Sequence, residues 1–383
     1  MRIVYIFNSM THKGGTERIL CDKMNYLADV LGHEVTFVSF EQGMHANFFH
    51  LSDKVRHIDL DTRFFTISSL PLWKRAFRYY LLRKLFRDRL RDTLAPLHPD
   101  VVVIPTYLYA LQECVLRLPY PVVIEAHVSN YGILKCLEEC HSPLVGKILK
   151  LYATHCLGKA KRASRIVLLT DNARKDWAGF RNLEVIPNVV TRYPSDIPDT
   201  RHRPKRIISV GRLQSQKGFD MLVEAWSALF RRHPDWTLDI YGEGEERTRL
   251  QTMTDRYGME QSMHLKGISD DIYEEYMGSA FYVMSSRYEG WGLVLVEGMS
   301  CGLPCVSFDC PHGPSDIITD GKDGFLVESG NVSMLAEKME RLINDAELRQ
   351  DMARNAREKS AQFKKEKIMH RWETLFESVA EGR

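Results

Sequence analysis

Two basic side chains follow a predicted buried strand in the second half of the chain. The apolar run Ile207–Val210 precedes Arg212, which lies in a Gly-Arg-Leu sequence, and Lys217 stands in Gln-Lys-Gly just before a predicted helix. This spacing places both cations at the carboxyl end of a strand and beside the amino end of a helix. Such a position suits a diphosphate, because both cations and free backbone N–H groups can contact its oxygens.

Two glutamates stand eight residues apart further along the chain. Glu289 lies in a glycine-rich loop, and Glu297 lies on a helix predicted to begin near Gly292. Carboxylates at such positions can accept hydrogen bonds from sugar hydroxyls, as acidic residues do in dinucleotide sites. The alternative is two solvent-exposed glutamates, but the apolar run Leu293–Val296 argues against full exposure of Glu297.

A histidine follows a buried strand in the first half. His127 comes shortly after Val122–Ile124, and Glu125 points to the same side of the chain, where it could orient the imidazole. A lone histidine at such a place is often structural, so both readings stay open on the residues alone.

The first strand is followed by a loop with paired glycines, Gly14 and Gly15, before a predicted helix. Such a loop lets the backbone approach an anion. Its spacing fits neither the dinucleotide fingerprint nor the P-loop. A plain strand-to-helix turn capped by Thr16 is the alternative.

A basic, aromatic stretch spans residues 74–91. It holds one acid, Asp88, and eight basic residues: Lys74, Arg75, Arg78, Arg83, Lys84, Arg87, Arg89 and Arg91. An imperfect apolar stripe at helical spacing accompanies them. We expect a helix that lies on an anionic membrane or binds a lipid-linked pyrophosphate acceptor. The alternative is a solvated helix packed on the first domain.

The cysteines and acidic pairs give no metal pattern. Cys136, Cys140, His141, His155 and Cys156 could be imagined as a zinc site, but their spacing favours buried thiols. Asp59-Leu60-Asp61 matches a D-x-D motif by letters, yet it is better interpreted as the polar end of a short strand. We therefore expect no metal site and no cofactor.

Strands and helices alternate twice along the chain. In the first half, runs typical of strands buried on both faces of a parallel sheet lie at Ile3–Phe7, Val35–Phe40, Val101–Ile104, Val122–Ile124 and Ile166–Leu169, with a helix at Glu17–Leu31. In the second half, strands are predicted at Ile207–Val210, Leu238–Tyr241, Met263–Leu265, Phe281–Met284 and Cys305–Phe308. Helices are predicted there at Phe219–Arg232, Glu245–Tyr257, Leu293–Ser300, Val332–Asn344 and Ala346–Gln362. The pattern predicts two doubly wound α/β domains joined by a proline-containing linker at Val189–Pro204, with ligands in the cleft between them.

Composition excludes several classes of protein. The chain has 383 residues, 44% of them hydrophobic and 27% charged, and a formal net charge of +2. These values are typical of a globular protein of about two domains and argue against a nucleic-acid binder. No apolar run suits a membrane span, and Ile3–Phe7 is too short for a signal-peptide core. We expect reduced thiols and a cytoplasmic location.

Taken together, these motifs resemble the family 4 retaining glycosyltransferases of the GT-B fold. The resemblance rests on Gly211–Leu213 with Lys217-Gly218, Gly242–Gly244, the glutamate pair, Gly302–Pro304 and Gly321–Val327. Upstream, Gly14–Glu17, His127 and Ile186–Asn188 fall at further family positions. The segment 311–318 resembles a subset that builds bacterial capsular and exopolysaccharide glycans, commonly from UDP-sugars.

The resemblance implies two Rossmann-like domains facing a central cleft. Residues 1–190 would bind the acceptor, residues 204–362 the nucleotide-sugar donor, and a helix at about 363–383 would pack back on the first domain. Arg212 and Lys217 would hold the diphosphate, Glu289 the donor sugar and Glu297 the ribose hydroxyls. His127 would face the sugar. The remaining donor contacts would be backbone groups, at Gly15, Gly267, Ile268, Gly292, Leu293 and Val294.

The implied reaction moves a hexose or N-acetylhexosamine from a UDP-sugar to a glycan or polyprenyl-pyrophosphate-linked acceptor. No secure covalent nucleophile is visible, and the leaving phosphate can itself take the acceptor proton, without a metal. The enzyme would be cytoplasmic, with possible peripheral contact at the inner face of the membrane. Two alternatives remain open: a nucleotide-sugar epimerase of the same fold, and a non-catalytic interaction protein.

Overall fold

The computed structural model describes residues 1–12, 14–67, 69–127, 130–139 and 143–382. The chain divides into two compact units. The first comprises Met1–Pro187 and the C-terminal segment from Ile368, and the second comprises Asn188–Lys367. Both are parallel-sheet α/β domains, as the alternating apolar runs predict.

The first unit is built on a parallel sheet. Within the described residues its strands are β1 (Arg2–Phe7), β2 (Glu34–Ser39), β3 (Arg56–Asp59), β4 (Val101–Pro105), β5 (Val122–Ala126), β6 (Arg165–Leu168) and β7 (Leu183–Val185). They pair in the order β3-β2-β1-β4-β5-β6-β7. The helices are α1 (Gly15–Asp29), α2 (Leu72–Leu94), α3 (Gln112–Leu116), α4 (Asn130–Glu139) and α5 (Pro143–Gly158). The central strands are buried on both faces, which explains why they lack apolar–polar alternation.

The second unit repeats this plan. Its strands are β8 (Arg206–Val210), β9 (Thr237–Tyr241), β10 (Met263–Gly267), β11 (Phe281–Met284), β12 (Cys305–Asp309) and β13 (Gly324–Glu328), paired in the order β10-β9-β8-β11-β12-β13. The helices are α6 (Phe219–Ser227), α7 (Arg247–Tyr257), α8 (Ile272–Met277), α9 (Leu293–Ser300), α10 (Pro314–Ile317), α11 (Val332–Asn344) and α12 (Ala346–Ser360). Because the sheet order reverses between β8 and β11, the loops after these strands flank a topological switch point.

Local sequence explains where several helices begin. The side chains of Asn331 and Asp345 accept hydrogen bonds from backbone N–H groups in the first turns of α11 and α12. These caps satisfy donors that have no partner inside the helix. The last helix, α13 (Lys365–Glu381), follows α12 and carries Trp372, which packs in the first unit.

The predicted linker groups with the second unit. Residues 189–204 fall within the second unit, and side chains of this segment form hydrogen bonds with other parts of that unit. The Tyr193 hydroxyl donates to the Arg357 carbonyl at 3.0 Å, and the Arg203 guanidinium donates to the carbonyl of Cys301 at 2.6 Å. The polar, proline-containing composition therefore marks an ordered segment rather than a free connection.

Candidate functional site

Close backbone packing forms the floor of the candidate donor site, at the carboxyl ends of β8, β9 and β10. The Gly242 N–H donates to the Gly267 carbonyl at 2.7 Å, and φ is +137° at Gly242. A Cβ added to Gly242 would lie 1.9 Å from the carbonyl oxygen of Gly211. Only glycine fits there, so the three loops can meet. Ile268, a predicted backbone contact of the donor, is exposed next to this junction.

Lys217 lies on a short 3₁₀ turn before α6, and its ammonium pairs with Glu289. The distance from Nζ to Oε1 is 2.6 Å, and the Ser286 hydroxyl donates to the same oxygen at 2.6 Å. The lysine stem crosses Gly211, where an added Cβ would lie 3.3 Å from its carbons. The structure thus joins two predicted site residues that the sequence separates by 72 positions.

Arg212, the second predicted diphosphate ligand, is exposed at the same strand end. No carboxylate of the described residues forms an ion pair with it. Its guanidinium is therefore available to a charged ligand, whereas Lys217 is already engaged. In the ligand-free protein Lys217 therefore forms an ion pair, whereas Arg212 forms none with the described carboxylates.

Glu297 is buried on α9, as the apolar run Leu293–Val296 indicates. Its Oε1 accepts from the Thr191 hydroxyl at 2.9 Å, and its Oε2 from the Tyr276 hydroxyl at 3.4 Å. Thr191 and Tyr273 also share a hydrogen bond of 2.7 Å. Burial, together with the Glu297 charge, raises the pKa of both tyrosines. The carboxylate predicted to bind ribose hydroxyls thus already accepts protein hydroxyls.

The amino end of α9 lies beside Glu289. Gly292 caps the helix in the left-handed conformation, with φ +85°, and no side chain caps it. The N–H groups of Leu293 and Val294 belong to the first turn, where helical amides lack an intrahelical carbonyl. Trp291, just before, is buried against Phe363, and a Cβ on Gly313 would lie 2.1 Å from the Trp291 carbonyl oxygen. The loop conformation is therefore fixed by tight packing.

The first unit contains a buried chain of polar groups. At the end of β5, the Glu125 carboxylate pairs with the Lys23 ammonium at 2.6 Å and with His127 Nε2 at 2.7 Å. The Lys23 ammonium also lies 3.3 Å from the centre of the Trp372 ring. Glu125 thus contacts His127, as its position on the strand predicts.

The charges in this chain shift one another's pKa. Burial alone would raise the pKa of Glu125, but Lys23 and His127 outweigh it and lower the pKa. Burial lowers the pKa of Lys23 despite the attraction of Glu125. The carboxylate is therefore held ionised in a site from which water is excluded.

The sequence interpretation missed Lys23 and Trp372. Lys23 lies on the buried face of α1 between Leu20, Met24 and Leu27. A charge on an otherwise apolar helix face signals a buried partner, since an unpaired ammonium is very costly there. That signal was present in the sequence at Ile19–Leu27.

The structure of the N-terminal loop contradicts one of the two interpretations given above, the turn capped by Thr16. α1 begins at Gly15 with Gly14 as its N-cap, and no side chain bonds to the cap. Thr16 is therefore not the capping residue. A Cβ on Gly15 would meet no atom within 4 Å, so protein packing does not require glycine there. The predicted role of Gly15 in approaching the diphosphate stays a prediction.

The basic stretch forms α2, whose buried face carries Leu82, Phe86, Leu90 and Leu94. Arg83, predicted to contact a membrane or acceptor, pairs with Glu113 at 2.7 Å. The remaining predicted contact residues are exposed: Lys74, Arg75, Arg78, Lys84 and Arg87. Within the described ranges, no helix has the length and apolarity needed to span a bilayer.

The structure describes the D-x-D motif in full but only part of the zinc group considered above. Cys140 and His141 lie outside the described residues. Asp59 ends β3 and accepts from the Ser39 hydroxyl, while Asp61 pairs with Arg63. No group of three or more His, Cys, Asp and Glu side chains among the described residues could hold a metal ion.

Comparison with known proteins adds a family match in the second unit. A family model described as "Glycosyl transferases group 1" matches residues 195–359. An uncharacterized glycosyltransferase of Haemophilus influenzae is 28% identical over 381 residues, covering 98% of this chain and 99% of the relative. The amylovoran biosynthesis glycosyltransferase AmsD of Erwinia amylovora is 26% identical over 384 residues, with 98% and 99% coverage.

Solved structures resemble the whole chain. Staphylococcus aureus TarM, in a complex with fondaparinux, alpha-GlcNAc-glycerol and UDP, has a TM-score of 0.74 at 16% identity, covering 98% of this chain and 99% of that one. Anabaena HepE, in complex with UDP and glucose, has a TM-score of 0.73 at 20% identity, with 99% and 100% coverage. The chain therefore has the GT-B fold of glycosyltransferases, which confirms the predicted fold class.

Proposed function

We propose that this protein is a family 4 retaining glycosyltransferase. It moves a hexose or N-acetylhexosamine from a UDP-sugar to a glycan or polyprenyl-pyrophosphate-linked acceptor during assembly of a surface polysaccharide. The names of the full-length relatives and the UDP bound by structural neighbours support this proposal. The particular sugar, acceptor and linkage are matters for the assays below.

The observation that carries the proposal is the Lys217–Glu289 pair beside the amino end of α9. An incoming diphosphate offers Lys217 a second anion, while exposed Arg212 supplies an unpaired cation. The Glu289 carboxylate then accepts hydrogen bonds from sugar hydroxyls, as it now accepts from Ser286. Glu297 accepts ribose hydroxyls in place of the hydroxyls that surround it.

These groups suit the charge that develops when a sugar–phosphate bond breaks. The anomeric carbon becomes positive and the leaving diphosphate becomes more negative. Fixed cations and helix amides aimed at the diphosphate stabilise that transition state, and each such donor contributes about 100–1000-fold in rate. In the proposed reaction the departing phosphate takes the acceptor proton, without a metal and without a covalent enzyme intermediate. The role of His127 stays a prediction.

Thermal unfolding with and without nucleotides tests the donor site. A ligand present at about 100 times its Kd adds about 2.7 kcal/mol of stability. We expect UDP or one UDP-sugar to raise Tm of the wild type, with EDTA making no difference. In Lys217→Ala this rise should disappear when measured against the variant's own ligand-free Tm.

Lys205→Ala is the matched control for this experiment. Lys205 precedes β8 at the opposite end of the strand and forms an exposed ion pair with Asp235. Its loss should leave the UDP-induced rise unchanged. An equal rise in Lys217→Ala, or no rise with any nucleotide in the wild type, would contradict the proposed donor site.

Product analysis separates transfer from the alternatives. With a UDP-sugar and a mixture of glycan and lipid-linked acceptors, we expect a product whose new bond keeps the anomeric configuration of the donor. Conversion of the UDP-sugar to its epimer without any acceptor would identify an epimerase instead. Nucleotide binding with neither outcome would favour the non-catalytic alternative.

A further inference from the structure

One face of α5 exposes apolar side chains to solvent. Leu144, Ile148 and Leu151 are exposed, the last two by 57% and 73%, and Val145 and Tyr152 flank them. These positions recur at helical spacing, so the side chains form one continuous strip. The opposite face packs inward through Ala153, Cys156 and Leu157. Such a strip on a helix is typical of a contact surface rather than of a solvated face.

α2 presents a second exposed strip with the same character. Phe77, Tyr80 and Leu81 are exposed on the face that also carries Lys84. Arg78 is exposed next to them. A helix with aromatic and basic residues on one face is suited to lie at the boundary between water and lipid headgroups.

The two strips belong to neighbouring helices of the first unit. Tyr79 of α2 interacts with Tyr152 of α5. Glu113 of α3 then ties Arg83 of α2 to Lys159, just after α5, with distances of 2.7 Å to both cations. We call the exposed strips of α2 and α5 together the two-helix surface, comprising Phe77, Tyr80, Leu81, Lys84, Leu144, Ile148, Leu151 and Tyr152.

Charge identifies the partner that fits this surface. Residues 74–91 carry eight basic residues against one acid, and α5 adds Lys147 and Lys150 with no acid at all. An anionic bilayer complements this charge and also accepts the apolar strip of α5, whose side chains need a water-free environment. An acidic soluble protein would complement the positive charge of this surface. It would not give the exposed leucine and isoleucine side chains a water-free environment.

We propose that the two-helix surface docks the protein on an anionic lipid bilayer. The exposed basic residues of α2 attract the headgroups, and the apolar strip of α5 inserts at the headgroup boundary. This inference deepens the proposed function, because a lipid-linked acceptor would be met at that surface. It can nevertheless be tested without any donor or acceptor.

Vesicle flotation tests the docking surface with the full chain. Vesicles of phosphatidylcholine containing 30% phosphatidylglycerol should bind the protein, and vesicles of phosphatidylcholine alone should bind it at least about tenfold more weakly. The variant Ile148→Glu with Leu151→Glu should bind the anionic vesicles at least about tenfold more weakly than the wild type. The variant Arg78→Glu with Lys84→Glu should lose a similar factor, and more so at low salt.

A control for the Ile148→Glu, Leu151→Glu variant makes the same change in charge at exposed apolar residues elsewhere in the first unit. Val30→Glu with Met44→Glu removes two exposed side chains outside the two-helix surface. This variant should retain at least half of the wild-type vesicle binding. All variants should keep the wild-type Tm, since each replaced side chain is exposed.

Three results would overturn the proposal. The first is no binding of the wild type to anionic vesicles. The second is an equal loss of binding in the control and in the Ile148→Glu, Leu151→Glu variant. The third is that the wild type forms a dimer whereas the Ile148→Glu, Leu151→Glu variant is a monomer. The apolar strip of α5 would then be a self-association face. The UDP-induced rise in Tm, measured on the same variants, reports separately on the donor site.

Discussion

Replacing Lys23 by methionine tests whether the buried chain in the first unit depends on its ammonium. The Lys23 and Glu125 side chains are 3% and 2% exposed and lie 2.6 Å apart. Removing one partner of such a pair leaves the other charge buried and costs about 3–5 kcal/mol. For a domain of this size that corresponds to about 6–20 °C in Tm. Urea unfolding at pH 7, compared with the wild type, measures the loss.

A second substitution separates the charge effect from the loss of packing against Trp372. In Lys23→Met with Glu125→Gln, no unpaired charge is left behind. We therefore expect the double variant to be more stable than Lys23→Met alone by at least about 1 kcal/mol. The control Lys54→Met breaks an exposed pair with Asp29, whose atoms lie 3.8 Å apart, and should cost at most about 0.5 kcal/mol.

The prediction is contradicted if Lys23→Met lowers the free energy of unfolding no more than Lys54→Met does. It also fails if the double variant is less stable than Lys23→Met alone, because the buried carboxylate would then not be the source of the loss. In either case the Lys23–Glu125 contact would be incidental to the packing of α1 on the sheet.

Two further predictions concern a glycine and a carboxylate. Gly218→Ala should cost about 2–4 kcal/mol in urea unfolding, because its Cβ would lie 2.1 Å from the Ser285 carbonyl oxygen at φ +61°. Gly321→Ala, at φ +73° with open space around it, should cost only about 1 kcal/mol, and equal costs would contradict the clash. Hydrogen bonds from Lys159 and Arg83 lower the pKa of Glu113 to about 2 from its ordinary 4.5. Its ionised form therefore stabilises the fold above pH 4.5 and loses this effect as the pH falls towards 2, so the deficit of Glu113→Gln seen at pH 6 should shrink at pH 2.5.

Central strands were predicted as apolar runs, whereas the two edge strands of the first sheet were not. The residues of β1, β4, β5 and β11 are apolar on both faces of the strand. Their composition alone therefore indicates that both faces are buried. β3 (Arg56–Asp59) and β7 (Leu183–Val185) are short and lie at the sheet edges, where one side of the strand has no neighbour. Their mixed composition follows from that exposure, and no apolar run marked them.

Helix ends show a similar limit. α9 and α11 have the predicted bounds, because a left-handed glycine and an asparagine cap mark where they begin. α6 ends at Ser227, although the apolar pattern predicted a helix as far as Arg232. The residues beyond it continue as turns that bury Leu229, so periodic burial persists after the helix has ended.

The candidate site was predictable where glycines and strand ends fix the backbone. Lys217 and Glu289 follow β8 and β11, which are neighbours in the sheet, so their meeting is a consequence of topology. Thr191, which bonds to Glu297, lay in the predicted linker and carried no signal of its own. The exposed strip of α5 could not be predicted either, because an apolar helix face is ordinarily assigned to the core.

Two buried carboxylates of this protein, Glu125 and Glu289, form the same kind of ion pair, but their lysine partners differ in exposure to solvent. Glu125 and Glu289 each pair with a lysine at 2.6 Å, and each holds a second polar partner. Lys23 is 3% exposed, whereas Lys217 is 17% exposed at a strand end. An ammonium that reaches solvent can exchange its carboxylate for a phosphate at little desolvation cost, while a fully enclosed one cannot. The Lys217–Glu289 pair is therefore suited to binding an anion, and the Lys23–Glu125 pair to holding His127 in place.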